Sequence, residues 1–359
     1  MDLDAIFKDL VVVELASVLA GPAVGMFFAE LGARVIKIEN KKSDGDITRS
    51  WKHATEDEHS KTSAYYHTVN YNKEAFFLNL GEDIDRTRAI EFIKEADVLV
   101  SNFKPGSASK ISMDYDSLSD LNDRLIYASI SAYGSDDPRP GFDALIQAET
   151  GWMFMNGEAD GPPVKLPVAL MDIMAGHQLK EGVLVALLQR AKTGKGCHID
   201  VSLYDTAIAS LANQASNYLN LDVVPKRKGS QHPNIAPYGD VVSTSDGVYF
   251  MVAAGNNQQF NSLCGIMGRS DMAQDERFVT NLQRVKFRTE LFSLMQAEIR
   301  KMTAAKFESD CNAHHVPVGR INDLSTVFED PKAQQLILEN LTEEGAIARR
   351  VRSTIFKTG

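Results

Sequence analysis

An α/β fold in two domains is what this sequence predicts, and three observations carry it. Short apolar runs alternate with helix-length stretches through the first half. One long, largely apolar helical pattern follows over Asp172–Arg190. Gly229, Pro233 and Pro237 then break the pattern ahead of a second region with its own strand and helices. Such alternation means βαβ units around a mostly parallel sheet, and 359 residues suit one large or two moderate domains.

The elements justify themselves in chain order. Leu10-Val11-Val12-Val13-Glu14-Leu15 reads as a buried strand, Pro22–Leu31 as a helix and Val35–Ile38 as the next strand. Phe76–Leu80, Val98–Ser101 and Ile126–Ile130 are further strands, with helical patterns at Asp85–Glu95 and Leu118–Leu121. In the long helix, Ile173, Met174, Leu179, Val183, Ala186 and Leu187 leave little polar surface, which predicts burial in the core or at a subunit interface. His198–Leu203 reads as a strand followed by a helix through Ala212. Lys226–Pro237 reads as the passage into the second region, where Val248–Ala253 is a strand, helices follow and His314–Pro317 closes the region.

Composition excludes several function classes. A net charge of -10 argues against a nucleic-acid binder, which needs a basic surface. It leaves room for a polyanionic small ligand in a locally basic pocket. Met1-Asp2-Leu3-Asp4 is acidic with no apolar run behind it, and no stretch approaches the roughly 18 apolar residues of a membrane span, so neither signal peptide nor membrane anchor is expected. Cys197, Cys264 and Cys311 are far apart, which reads as three packed thiols and fits a reducing, cytoplasmic setting.

Candidate chemistry is sparse. Ala16–Pro22 follows the first strand and opens a helix, and Glu39 ends the second strand where a dinucleotide enzyme places its ribose-binding acid. Only Gly21 and Gly25 stand where such an enzyme needs three glycines, which excludes a nicotinamide site. Lys41, Lys42, Arg49, Lys73, Lys104 and Lys110 stand at the edges of this half, and several lie just after predicted strands, where α/β sheets bind ligands. The histidines show no metal-ligand spacing, and neither a nucleophile elbow nor a Walker sequence is present, so no metal is expected. Asp172 opens the apolar helix among Ala169, Ala175 and Gly176. It reads either as an N-cap or as a carboxylate kept ionised by the helix start, with room beside it for a substrate.

Several segments together resemble one family. They include Ala20-Gly21-Pro22, Leu31–Glu39, Gly45–Arg49, Asn72-Lys73, Asn102–Gly106, Tyr133-Gly134, Asp172–Gly176, Thr193–Gly196, Asp200–Asp205 and Ala236–Gly239. Their order and spacing are similar to those of the class III (CaiB/BaiF-like) coenzyme A transferases, which include formyl-CoA and carnitine CoA-transferases and share a fold with α-methylacyl-CoA racemases. The resemblance implies a Rossmann-like large domain from residues 1–205 and 325–359, a linker at 206–228, a smaller α+β domain at 229–324, and a homodimer of interlocked rings. It implies CoA transfer between an acyl-CoA and a carboxylic acid without a permanently bound cofactor. Asp172 falls on the family's catalytic aspartate. Val18, Leu19, Lys41, Lys42, Asn72, Lys73, Asn102, Phe103, Lys110 and Tyr133 are the residues expected around CoA.

Departures narrow the substrate. Leu19 stands where formyl-CoA transferase has glutamine, and the Gly229–Pro237 stretch lacks its extended glycine-rich loop; both argue against formate and oxalate. A further C-terminal segment common in the family does not appear before Lys357-Thr358-Gly359. Racemases of this fold carry Gly-His-Asp with histidine as a base. Here the segment is Gly141-Phe142-Asp143, and phenylalanine accepts no proton.

Overall fold

The computed structural model describes residues 5–342 and 344–356; the acidic Met1–Asp4 start and the Lys357–Gly359 end lie outside the described residues. The chain divides into two compact units. One comprises residues 1–153, 165–224 and 332–359, the other residues 154–164 and 225–331. Residues 206–228, expected as a linker, are therefore part of the larger unit as far as Val224 and are mostly helical. Residues 154–164 and 325–331 join the smaller unit, although the sequence reading gave them to the larger.

The larger unit is a six-stranded sheet. In chain order its elements are β1 (Val11–Leu15), α1 (Ala20–Glu30), β2 (Arg34–Asn40), β3 (Lys73–Leu78), α2 (Asp83–Lys94), β4 (Val98–Ser101), β5 (Ile126–Ser131), α3 (Asp143–Glu149), α4 (Leu170–Thr193), β6 (Cys197–Ser202), α5 (Leu203–Ala209) and α6 (Ala212–Leu221). The strands run parallel in the order β3-β2-β1-β4-β5-β6. This is a doubly wound order, and its direction reverses between β1 and β4, the place where such sheets open a ligand crevice. The helix expected to run to Ala212 is in fact two, because Ala212 takes a left-handed φ of 48° that a continuous right-handed helix excludes.

Both faces of the sheet are covered. Val12, Val100, Ile126 and Ala128 pack under α1 and α4, while Val13, Ile36, Leu99 and Tyr127 pack under Ala89 and Ile93 of α2. Burial on both sides explains why the strands read as unbroken apolar runs. Gly176 lets α4 lie close on α1: a Cβ there would sit 3.0 Å from the Ala20 carbonyl oxygen. Ala175 and Gly176 are thus buried packing residues, not the open space for substrate that their size suggested. Val185 and Leu188 on the far side of α4 are exposed.

In the smaller unit β7 (Tyr238–Ser243), β8 (Tyr249–Ala253), α7 (Asn257–Ile266), α8 (Arg288–Ile299), α9 (Ala304–Ala313) and β9 (Val318–Arg320) follow one another. β7, β8 and β9 form an antiparallel sheet around a core that contains Phe250, Phe260, Phe278 and Phe307. Cys264 and Cys311 are buried in it, and burial pushes both thiols up to about 12. The chain returns to the larger unit as the hairpin β10 (Ile337–Leu341) and β11 (Ile347–Val351).

Candidate active site

The loop between β1 and α1 is held from two sides. The Ser17 N–H donates to Asn102 Oδ1 at 3.1 Å, and Asn102 Nδ2 donates to the Ser17 carbonyl at 2.8 Å. Val18 sits at φ 74°, a conformation a β-branched residue takes only when its surroundings enforce it. The enforcing group is Asp46, whose two oxygens accept the Val18 N–H at 3.3 and 3.2 Å. Leu19 has no side-chain acceptor to offer, so α1 begins without a side-chain cap. Its first-turn N–H groups are left for whatever enters the crevice.

A buried charge network anchors this loop. Glu14 Oε1 pairs with Lys37 at 2.8 Å and Glu14 Oε2 with Lys73 at 2.7 Å. Lys37 also reaches Asp46 at 3.0 Å and donates to the Ala16 carbonyl at 2.9 Å. Burial opposes ionisation of Asp46, but Lys37 and the Thr48 N–H outweigh it and hold that carboxyl below its ordinary range. Glu39 is held low likewise by Arg49, at 2.6 Å, against its own burial. Burial pushes Lys73 down to about 8 despite its pairing with Glu14.

Asp172 lies in the first turn of α4, and it is not the cap. Asp143 takes that role: its Oδ2 accepts the Met171 N–H at 2.7 Å and the Asp172 N–H at 3.4 Å, while Gln147 donates to its Oδ1 at 2.5 Å. The Asp172 carboxyl accepts no hydrogen bond from any described residue. Burial, and then the negative charge of Asp143, push it from 3.8 up to about 7. The expectation that the helix start keeps it ionised is corrected: desolvation outweighs the dipole.

The carboxyl faces a cavity of about 380 Å³ lined by Val18, Leu19, Asn102, Phe103, Lys104 and Arg139 among others. A second cavity of about 500 Å³ continues from it over the carboxyl ends of β1, β2 and β3 and shares Ser17, Ile47, Asn102, Phe103 and Lys104. Together they make one groove at the reversal of strand order.

The structure brings Asp172, Val18, Leu19, Asn102 and Phe103 together on this groove. Lys41, Lys42 and Lys110 are exposed, each within two residues of a lining residue, Ser43 or Ile111. Tyr133 lies behind Arg139, which stacks 3.9 Å over its ring, and its hydroxyl donates to Glu149. None of these four lines the groove itself, and two further expected contacts lie away from it. Lys73 is consumed by Glu14, Asn70 and the Pro22 carbonyl. Asn72 is in a left-handed turn before β3 and lines a different cavity, with Glu30 and Leu338. Arg139, Trp51 and Asp46 were missed as site residues; Asp46 was legible only as part of the Gly45–Arg49 run. Phe142 lines the Asp172 cavity where a racemase would place its histidine.

Among the described residues no cluster of His, Cys, Asp or Glu is arranged to hold a metal ion, and no helix is long and apolar enough to cross a membrane. Comparisons with known proteins agree with one another. The chain is 38% identical over 352 residues to a succinate–glutarate CoA-transferase of Agrobacterium fabrum, covering 96% of this chain and 87% of that one. It is 35% identical over 331 residues to the human succinyl-CoA:glutarate CoA-transferase, covering 89% and 73%. Among solved structures it superposes on a CaiB/BaiF family protein from Brucella suis with a TM-score of 0.83 at 39% identity, over 97% of this chain and 92% of that one. Rv3272 from Mycobacterium tuberculosis gives 0.84 at 26% identity, over 99% and 93%. The sequence profile of CoA-transferase family III matches residues 7–354, and with relatives this similar along almost its whole length the chain belongs to that family.

Proposed function

We propose that the protein moves coenzyme A from an acyl-CoA donor to a carboxylic acid, with Asp172 as covalent nucleophile. The observation that carries this is the Asp172 carboxyl: half-buried, free of hydrogen-bond donors among the described residues, and facing a groove with Lys104 further along it. A carboxylate stripped of donors is a better nucleophile than a solvated one.

The sequence of bonds balances without outside activation. Ionised Asp172 attacks the thioester carbonyl, the C–S bond breaks, and a mixed anhydride and CoA thiolate result. The thiolate attacks the aspartyl carbonyl and releases the donor acid, leaving an aspartyl-CoA thioester. The acceptor carboxylate attacks that thioester, and the returning thiolate takes the new acyl group and frees Asp172. Each step exchanges one activated acyl bond for another, so neither nucleotide nor metal is required. The first-turn N–H groups of α1, at Ala20 and Gly21, are the donors we assign to the developing oxyanions.

CoA lies in this reading along the groove past Val18, Leu19, Asn102 and Phe103, with Lys104, Lys110, Lys41 and Lys42 toward its phosphates. The two CoA-transferases named above are named for succinate or succinyl-CoA and glutarate, and we take a dicarboxylate as acceptor. The exposed Val185 and Leu188 on α4 support a homodimer. Incubation with acyl-CoA followed by peptide mass spectrometry should place the mass of CoA or acyl on the Asp172 peptide. Hydroxylamine in the presence of acyl-CoA should inactivate the enzyme. An unmodified Asp172 peptide under turnover conditions overturns the covalent route.

A further inference from the structure

Asp172 is not the only charge on α4 without a partner among the described residues. Lys180, two turns further along, is 6% exposed. It makes no hydrogen bond or ion pair with any described residue and rests 5.4 Å over the ring of Phe27. Two acids act on it without contact, Glu30 and then Glu181, and the Glu30 carboxylate accepts the Ser353 and Thr354 N–H groups. A buried ammonium with no carboxylate in contact costs stability, which the mechanism above gives no reason to bear.

Lys180 lines a separate cavity of about 420 Å³. Two features define its chemistry. Its charged lining is wholly basic, with Lys180 and Arg352 beside the imidazole of His177 and no carboxylate. The rest of its wall is mainly apolar, including Leu19, Ala23, Met26, Val69 and Ile173. Ser353, also on the wall, has a hydroxyl with no hydrogen-bond partner.

This cavity adjoins the reaction site. Leu19 lines both, Ala169 and Ile173 flank Asp172 on its own helix, and the Tyr65 phenol on this wall feels the Asp172 charge. Eight residues separate Asp172 from Lys180, about 12 Å of helix axis, and a long helical side chain leans back toward the N-terminus, which shortens that gap by several ångström.

We infer that this cavity is the binding site for the far carboxylate of a dicarboxylic acid whose other carboxylate reacts at Asp172, with Lys180 as the residue that recognises it. The methylene chain passes Leu19 along the apolar wall, and the free carboxylate supplies the contacting counter-ion that Lys180 lacks. The assignment rests on the reading of Asp172 as the point of acyl transfer and makes substrate selection a property of α4, which carries both charges.

The test compares glutarate with pentanoate, which keeps the five-carbon chain and has one carboxylate fewer. Calorimetry on the full-length protein without acyl-CoA should show glutarate binding at least tenfold tighter than pentanoate. Lys180→Met should remove that advantage and leave pentanoate unchanged, while Lys180→Arg should keep most of it. In turnover Lys180→Met should raise KM for glutarate at least tenfold with little change for pentanoate. In wild type, glutarate but not pentanoate should protect Lys180 from reductive methylation, read by peptide mass, and this holds even if the Met variant does not fold. Equal loss for both acids, unchanged glutarate binding in a folded Met variant, or absence of protection overturns the assignment. Lys180-dependent binding of glutarate without any CoA transfer would leave this site standing and sink the reaction. Normal transfer to glutarate by Lys180→Met would do the reverse.

Discussion

Two groups of buried charge in the larger unit are built on opposite plans. Beneath the β1–α1 loop, Glu14, Lys37, Lys73 and Asp46 satisfy one another at 2.7–3.0 Å. On α4, Asp172 and Lys180 lie in low-polarity surroundings with no partner among the described residues. The first group spends its charge on geometry, pinning Val18 in a conformation it would otherwise avoid. The second leaves its charge uncompensated, so substrate groups gain what the protein withholds. Breaking a pair in the first group should therefore cost stability, whereas neutralising a charge in the second should cost function and restore stability.

Asp172→Asn tests that contrast most severely. Transfer should fall by about 10⁴-fold or more, as when a covalent nucleophile is removed. Stability should move the other way. The folded-state value of Asp172, about 7, lies above the ordinary 3.8, so the wild-type fold is best supported when this carboxyl is protonated and loses that support as pH rises from about 4 to 7. Asn pays no such cost, and the variant should gain as much as ~4 kcal/mol at pH 8, at 1.36 kcal/mol per pH unit, with no gain at pH 3. Denaturant unfolding at the two pH values checks it. Asp143 holds the helix start, so no cap is lost.

Glu14→Gln is the complementary break. It leaves Lys37 in contact with Asp46 and Lys73 buried with no carboxylate in contact, and should cost about 3–5 kcal/mol by denaturant unfolding. A neutral outcome would place the loop's support elsewhere.

A third measurement sharpens the functional side. The attacking species is ionised Asp172, so kcat/KM for acyl-CoA should climb about tenfold per pH unit below 7 and level off above it. A profile flat from pH 5 to 8 would contradict a nucleophile that titrates near 7. The smallest effect separates two kinds of lysine. Lys104→Ala or Lys110→Ala should weaken CoA binding about tenfold, the worth of one charge-assisted contact, with the melting temperature unchanged. Lys73→Ala should lower the melting temperature without a selective effect on CoA.

Lys73 also shows where sequence reading stops. Strands buried on both faces read as apolar runs, so β1, β2, β4 and β5 were legible almost to the residue. A lysine at a strand end looks like a solvated cation or a phosphate contact until its partner, 59 residues away at Glu14, is brought beside it by the sheet. Asp172 was legible by motif, but its environment was not: an aspartate opening a helix reads as a cap, and only the fold reveals that Asp143, 29 residues earlier, already fills that role. Lys180 is one polar residue in an apolar helix, and nothing local tells a snorkelling lysine from a sealed one. The excursion of residues 154–164 into the smaller unit carries no periodic signal at all.

The larger unit is assembled from three stretches of chain, and the last of them docks on the first through Glu30, whose carboxylate receives the Ser353 N–H across 323 positions. On a ribosome adding ~5–20 residues each second, Glu30 waits roughly 15–65 s for that partner to be made. Throughout that interval the first stretch lacks the hairpin that packs on it, and Tyr71 lacks the Arg350 guanidinium that later lies 5.1 Å over its ring. Synthesis of this protein thus exposes its N-terminal half for the whole time the intervening unit is made, and codon-level slowing before residue 332 lengthens that exposure. Yield in a cell should respond to translation speed and chaperone supply more steeply than the thermodynamic stability of the finished molecule would suggest.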